Sequence, residues 1–125
     1  MNVIDSSGWL EYFTDSENAE FFAPAIEDQE NALVPTICLF EVFKRILIDR
    51  GRDDALEAIT QMKEGRVVEL DDSLALLAAE LSYELKLPLA DSIILATARE
   101  HNATLWTQDV HFKDLLDVKY ITKSY

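Results

Sequence analysis

The sequence has few of the residues that cross-link or interrupt a chain. It contains one cysteine, three glycines and three prolines among 125 residues. A single cysteine excludes an internal disulfide and a cluster of thiolate metal ligands, and Cys38 lies in an apolar run, where we expect a buried side chain. No stretch has the composition of a linker or of a repeat. We therefore expect one domain spanning residues 1–125.

Basic residues are also scarce. Lysine and arginine together number 11 against 24 acidic residues, which gives a formal net charge of −13. Such acidity argues against a protein that holds nucleic acid on an extended basic surface. It remains compatible with a protein that binds divalent cations, or with one that receives a basic segment of a partner.

Long apolar runs are missing as well, although hydrophobic residues make up 49% of the chain. No segment is long enough to cross a bilayer, and residues 1–5 have neither the basic nor the apolar part of a signal peptide. The apolar residues suffice for a core in a chain of this length. We expect a cytoplasmic protein that does not associate with membranes.

Short apolar segments alternate with segments of helical periodicity. The predicted strands are residues 2–5, 32–34, 67–70, 103–106 and 119–121. The predicted helices are residues 6–12, 17–27, 37–50 (ended by Gly51), 53–63, 72–85 (capped by Asp72 or Ser73), 91–101 and 110–116. This alternation predicts an α/β fold with a parallel sheet between layers of helices. In such sheets, ligands bind beyond the carboxyl ends of the strands.

Four acidic residues stand at or near such ends. Asp5 ends the first strand, and Glu41 lies in the second turn of the helix that follows the second strand. Asp91 opens the apolar helix that leads into the fourth strand, and Asp109 follows that strand. We call these four residues the acidic quartet.

Each member of the quartet also has a simpler interpretation. The three aspartates, or Ser92 in place of Asp91, could cap the helices that follow them, and Glu41 could pair with Arg45 one helical turn later. The presence of all four acids at one edge of the predicted sheet favours a common role. Four carboxylates at one edge repel one another unless a cation lies among them, and Mg²⁺ and Mn²⁺ prefer oxygen ligands.

Four segments that include these acids resemble the motifs of the PIN-domain family, in the family's order. They are Val3-Ile4-Asp5-Ser6-Ser7, Thr36-Ile37-Cys38-Leu39-Phe40-Glu41-Val42, Leu89-Ala90-Asp91-Ser92-Ile93-Ile94-Leu95-Ala96 and Leu105-Trp106-Thr107-Gln108-Asp109. The third segment is the most specific, and the likeness extends over essentially the whole chain. The sequence is similar to small, stand-alone PIN-domain toxins of the VapC type.

The resemblance implies a three-layer α/β/α sandwich with strand order 3-2-1-4-5 and an endoribonuclease that uses Mg²⁺ or Mn²⁺. Asp5, Glu41, Asp91 and Asp109 match the family's catalytic and metal-binding acids, and Ser6 and Thr107 match hydroxyl positions beside them. Many relatives carry a further acid directly before the phenylalanine that is Phe112 here. This chain has His111 instead, for which we expect a surface position without a metal role.

The mechanism implied is hydrolysis of RNA by a water bound to one or two ions. Asp5, Glu41 and Asp91 are expected as ligands. Asp109 is expected to bind a second ion or to orient the water, while Ser6 and Thr107 orient the carboxylates. His101, at a helix end, is expected to interact with the last turn of its helix instead.

The resemblance also implies two protein partners, an antitoxin and a second copy of the chain. The predicted helix 37–50 has two largely apolar sides, which are formed by Ile37, Phe40, Lys44 and Leu47 and by Cys38, Val42 and Ile46. Such a helix is either wedged into the core or part of a dimer surface.

Three other interpretations compete with a nuclease. A receiver-type signalling domain needs adjacent acids after its first strand, where this chain has Asp5-Ser6. It also needs a lysine after its last strand, for which we find no match. A haloacid-dehalogenase-type phosphatase needs an aspartate at the position of Ser7. A PIN-like binding module without activity stays open, although the presence of all four acids favours an active enzyme.

Overall fold

The strands of the sheet are short, and each runs parallel to its neighbours. The computed structural model describes residues 1–123. Within them, the strands are β1 (Asn2–Ile4), β2 (Ala32–Pro35), β3 (Arg66–Val68), β4 (Thr104–Thr107) and β5 (Val118–Tyr120). They form one sheet in the order β3-β2-β1-β4-β5, which confirms the predicted order.

Burial in the central strands explains the layered architecture. Successive strand residues point to opposite faces of a sheet. Val3 and Ile4 of β1 are both fully buried, and so are Leu33 and Val34 of β2. Both faces of the sheet are therefore covered, as parallel sheets require, and the predicted α/β sandwich is confirmed.

Six α-helices cover the sheet in the described part of the chain. They are α1 (Ser6–Phe13), α2 (Ala19–Glu27), α3 (Thr36–Arg50), α4 (Arg52–Met62), α5 (Asp72–Leu85) and α6 (Leu89–Glu100). α3 packs against α4, and α5 packs against α6. Gly51 ends α3 with a φ of 96°, as predicted for the turn into α4. None of the helices within residues 1–123 combines the length and apolar character needed to span a membrane.

Two helices are buried to different extents. In α6, the residues from Ser92 to Ala98 are all buried, as the apolar run predicts. α3 buries only Cys38, Val42 and Ile46, while Phe40 is 60% exposed and Ile48 68% exposed. The interpretation of α3 as a helix wedged into the core of one chain is therefore wrong, and an apolar side of α3 is left at the surface.

The structure corrects several boundaries. α5 is capped by Asp71, whose side chain accepts a hydrogen bond from the backbone N–H of Leu74 at 2.8 Å, and not by Asp72 or Ser73. The predicted helix 110–116 is only one 3₁₀ turn, Val110–Phe112. Asp114 (φ 72°) and Asp117 (φ 59°) adopt left-handed backbone conformations, which cannot continue a right-handed helix.

Candidate active site

Asp5 stands at the carboxyl end of the central strand. It directly follows β1 and precedes α1, and its backbone N–H donates to the carbonyl of Trp106 in β4 at 3.0 Å. Its side chain accepts hydrogen bonds from Thr107 at 2.9 Å and Ser7 at 3.2 Å. Within residues 1–123 it makes no capping bond to α1, so the capping interpretation is wrong for Asp5.

Burial dominates the electrostatics of Asp5, which is 5% exposed. The pKa of its carboxyl is raised from 3.8 to about 7, mainly by loss of hydration and also by the negative charges of Asp91 and Asp109. The hydrogen bond from Thr107 opposes the shift. Asp5 therefore carries a charge that protein groups compensate only in part.

Thr107 connects Asp5 to Asp109. It ends β4 and is fully buried. Its hydroxyl accepts a hydrogen bond from the backbone N–H of Asp109 at 2.9 Å and donates one to Asp5 Oδ2 at 2.9 Å. A hydroxyl has a single proton, so this arrangement fixes its direction towards Asp5. Thr107 thus stands in direct contact with the quartet, where the resemblance expects a hydroxyl.

Glu41 is held by the start of α1. Ser6 Oγ donates to Glu41 Oε1 at 2.8 Å, which links the first residue of α1 to the second turn of α3. Arg45 pairs with Asp49 at 3.0 Å, so the interpretation of Glu41 as the partner of Arg45 is wrong. Ser6 therefore orients a carboxylate that is half-buried.

Asp91 lies in the first turn of α6, but it is not the cap. The N-cap position belongs to Pro88, and Ser92 Oγ donates to the carbonyl of Leu89 at 2.7 Å instead of accepting an N–H. Asp91 Oδ2 lies 3.0 Å from His111 Nδ1. Burial raises the pKa of Asp91 to about 6, with a further contribution from the charge of Asp109 and opposition from the hydrogen bond to His111. The capping interpretation of Asp91 and Ser92 is wrong.

Asp109 does act as a cap. Its Oδ1 accepts a hydrogen bond from the backbone N–H of His111 at 2.9 Å, at the start of the 3₁₀ turn. The same oxygen lies 3.2 Å from His111 Nδ1. Asp109 thus caps the 3₁₀ turn and also belongs to the acidic quartet.

His111 is the residue whose contacts the sequence analysis missed. Its side chain is 51% exposed, which confirms the expected surface position, yet its imidazole contacts two members of the quartet. Hydrogen bonding to Asp91 is the main cause that raises the pKa of His111. One signal was available: Asp109 and His111 are two residues apart in a tight turn. His101 behaves as expected, with Nδ1 at 2.9 Å from the carbonyl of Thr97 in α6.

All four acids line one open cleft of about 730 Å³. The cleft is also lined by Ser6 and by two cationic residues, Arg45 and Lys123. Carboxylate oxygens are the ligands that hard divalent cations prefer, and a buried carboxylate with a raised pKa gains from a nearby positive charge. The donor set therefore fits a divalent cation, with Asp5, Glu41, Asp91 and Asp109 as the residues that would hold it.

A family model described as PIN domain matches residues 3–116, most of the chain. The chain belongs to the PIN domain family. No curated protein sequence matches it.

The PIN domain has similar folds among solved structures. A toxin–antitoxin complex from Klebsiella pneumoniae has 21% identity and a TM-score of 0.76, with 95% of this chain and 96% of that chain covered. VapC20 from Mycobacterium tuberculosis, described as a toxin that cleaves the sarcin–ricin loop, has 16% identity and a TM-score of 0.76, with 95% and 99% covered. VapBC2 from Rickettsia felis, bound to a DNA fragment from its promoter, has 13% identity and a TM-score of 0.74, with 97% of both chains covered. At these identities the likeness is one of fold.

Proposed function

We propose that this PIN domain is a metal-dependent endoribonuclease that acts as the toxin of a type II toxin–antitoxin pair. The observation that carries the proposal is the convergence of Asp5, Asp91 and Asp109 at the carboxyl edge of the sheet, inside an open cleft that Glu41 also lines. Membership of the PIN domain family supports a nuclease. The similar fold of a toxin that cleaves the sarcin–ricin loop supports RNA as substrate.

The proposed catalytic and metal-binding residues are Asp5, Glu41, Asp91 and Asp109, with Mg²⁺ or Mn²⁺ as the cation. A divalent ion held there lowers the pKa of a bound water and offsets negative charge on the attacked phosphate. Ser6 and Thr107 keep Glu41 and Asp5 in place through hydrogen bonds of 2.8 and 2.9 Å. Loss of an orienting hydrogen bond of this kind typically lowers metal affinity or activity 10–100-fold.

The two cationic residues of the cleft suit an RNA backbone. Arg45 and Lys123 line the same cleft as the acids, so a phosphate can contact positive groups beside the metal site. The net charge of −13 opposes non-specific binding of RNA elsewhere. We therefore expect RNA binding that depends on divalent ions and on these two side chains.

The test is cleavage of RNA by the purified chain with Mg²⁺, with Mn²⁺ and with EDTA. We expect cleavage with the ions, none with EDTA, and loss of cleavage in Asp5→Asn and Asp91→Asn. Glu69→Gln is the matched control, because it removes one negative charge from an exposed residue outside the cleft. Cleavage that persists in both aspartate variants contradicts the proposal. Ion binding without cleavage would instead support an inactive PIN-like binding module.

The strand order opposes a receiver-type domain, and the family match opposes both a receiver-type domain and a phosphatase. The strand order β3-β2-β1-β4-β5 differs from the 2-1-3-4-5 order of flavodoxin-like receivers, and the chain matches the PIN domain over residues 3–116. That match also supports our proposal that residues 1–125 form a single domain. We further propose that the protein acts in the cytoplasm.

We further propose an antitoxin partner. Similar structures from Klebsiella pneumoniae and Rickettsia felis are toxin–antitoxin complexes, and the acidic cleft is complementary to a basic side chain of such a partner. Co-expression with the product of the neighbouring reading frame tests this. We expect a stable complex in which cleavage of RNA is inhibited, and independent purification of the two proteins would contradict it.

We also propose a homodimer that uses the exposed side of α3. Phe40, Leu47 and Ile48 are large apolar residues exposed on that helix, and burial of such residues drives association. Light scattering should give twice the 14.2 kDa mass of the chain, and Phe40→Lys should shift the protein towards the monomer. A monomer at all concentrations refutes the dimer.

A further inference from the structure

His111 takes no part in the function proposed above, yet its imidazole contacts two members of the acidic quartet, Asp91 and Asp109. Its Nδ1 lies 3.0 Å from Asp91 Oδ2 and 3.2 Å from Asp109 Oδ1. One ligand atom from each of these three residues falls within 4.8 Å of the others. The imidazole therefore occupies a place beside the two carboxylates where a cation ligand can stand.

The two short distances match those between neighbouring donors around one ion. Metal–oxygen and metal–nitrogen bonds are about 2.1 Å long, so donors at adjacent corners of an octahedron are separated by about 3.0 Å and donors at opposite corners by about 4.2 Å. These separations, which are also those of hydrogen bonds, are short enough for one ion to contact Nδ1 and both carboxylate oxygens. An ion can replace the proton that Nδ1 shares with them.

The backbone presents the imidazole in this position. The N–H of His111 donates to Asp109 Oδ1 at 2.9 Å, and the next residue, Phe112, is fully buried. The turn is therefore anchored on both sides of the imidazole. Half of the side chain stays exposed, which leaves room for water or substrate on its open side.

We propose that His111 is a metal ligand, and that Asp91, Asp109 and His111 together favour transition-metal ions over Mg²⁺. This inference rests on the proposed function only in taking the cleft as a cation site. Imidazole nitrogen suits ions such as Zn²⁺ and Co²⁺, whereas Mg²⁺ prefers oxygen.

The first measurement is calorimetric titration of the whole chain with Co²⁺ and with Mg²⁺. His111→Ala should weaken Co²⁺ binding about tenfold or more and change Mg²⁺ binding by less than about threefold. His111→Asp should strengthen Mg²⁺ binding and reduce the preference for Co²⁺. Unchanged or tighter Co²⁺ binding in His111→Ala overturns the proposal, because the imidazole would then be a bystander or a competitor of the ion.

The second measurement uses the unaltered protein and does not depend on the folding of a variant. The chain has two histidines, and His101 lies ten residues beyond Asp91 in sequence, about 15 Å along the axis of α6. In nitrogen NMR spectra of the imidazoles, Zn²⁺ should shift the Nδ1 signal of His111 and leave that of His101 in place. His101→Ala assigns the signals and serves as the matched control in the titrations. Signals of His111 that do not move with Zn²⁺ refute a ligand role.

These results are separable from those of the proposed function. Metal binding is measured without RNA, so a chain that binds Co²⁺ through His111 but cleaves no RNA contradicts only the nuclease. A different outcome contradicts only the present inference. In it, cleavage requires Asp5, Co²⁺ affinity does not change in His111→Ala, and the imidazole signals of His111 do not move with Zn²⁺.

Discussion

Replacement of Asp5 by asparagine should stabilise the metal-free protein above pH 7 while it abolishes cleavage. Burial raises the pKa of Asp5 from 3.8 to about 7. Between these values the folded protein keeps a proton that the unfolded chain has released. Stability that is fully present below pH 3.8 is therefore lost as the pH rises towards 7. Asparagine has no proton to lose, so the variant avoids this loss.

The size of the effect follows from the same two pKa values. A tenfold change in proton affinity is worth about 1.4 kcal/mol, so the interval from 3.8 to about 7 corresponds to about 4 kcal/mol as an upper limit. Unfolding entropy is about 2.1 cal/mol/K for each residue. In a chain of 125 residues, the upper limit corresponds to a melting temperature about 15 °C higher.

The assay is thermal unfolding in EDTA at pH 4 and at pH 8.5, for the wild type, Asp5→Asn and Glu69→Gln. At pH 4 the wild type and Asp5→Asn should differ only through the hydrogen bonds from Thr107 and Ser7, by about 1 kcal/mol. At pH 8.5 Asp5→Asn should melt well above the wild type, and Glu69→Gln should follow the wild type at both pH values. If Asp5→Asn gains no stability relative to the wild type between the two pH values, the account of Asp5 as a buried charge that the protein compensates only in part is wrong.

The remaining predictions concern steric fit, capping and ligand orientation. Gly8→Ala should lower the free energy of unfolding in urea by about 1–3 kcal/mol. The reason is that a Cβ at Gly8 would lie 2.7 Å from the ring of Phe22 and 2.8 Å from Ile4. An unchanged free energy of unfolding would contradict the close packing of α1. Asp71→Ala should lower the free energy of unfolding by about 1 kcal/mol in the same assay, which is more than Asp72→Ala should. An equal loss in both variants would contradict the assignment of Asp71 as the cap of α5. Ser6→Ala should weaken Mn²⁺ binding about tenfold through release of Glu41, as measured by titration, and unchanged affinity would show that Glu41 needs no orienting bond.

The order of elements was accessible from the sequence because it depends on local patterns. Apolar runs bounded by polar residues mark the five strands, and Gly51 marks the end of α3. The strand order was available only through resemblance to the PIN domain, since strand pairing depends on contacts between distant residues. The short turn after β4 was predicted as a longer helix because left-handed conformations at Asp114 and Asp117 leave little trace in the residue types.

The candidate site was accessible in part for a related reason. Acids at strand ends can be read from a sequence, and the four predicted residues do line one cleft. Their hydrogen-bond partners cannot be read in this way, because capping and pairing use the same residue types. Asp91 has the sequence context of a cap, but its carboxylate turns to His111, twenty residues away. The contact between His111 and Asp91 was not predicted, because the sequence neighbours of His111 carry no information about a residue twenty positions away.

The strand register has a consequence for synthesis of the chain. Val3, in the first strand to leave the ribosome, pairs with Leu105 of β4. The middle of the sheet thus stays open along one side until about a hundred further residues have been added, and contacts between such distant residues form slowly. Asp5 and Glu41 are made early, but Thr107 and Asp109 arrive with β4 or directly after it. A nascent chain that ends before β4 therefore carries Asp5, Glu41 and Asp91 but lacks Asp109 and the hydrogen bond from Thr107 to Asp5. The complete cleft, and any reaction it performs, requires that translation has passed β4.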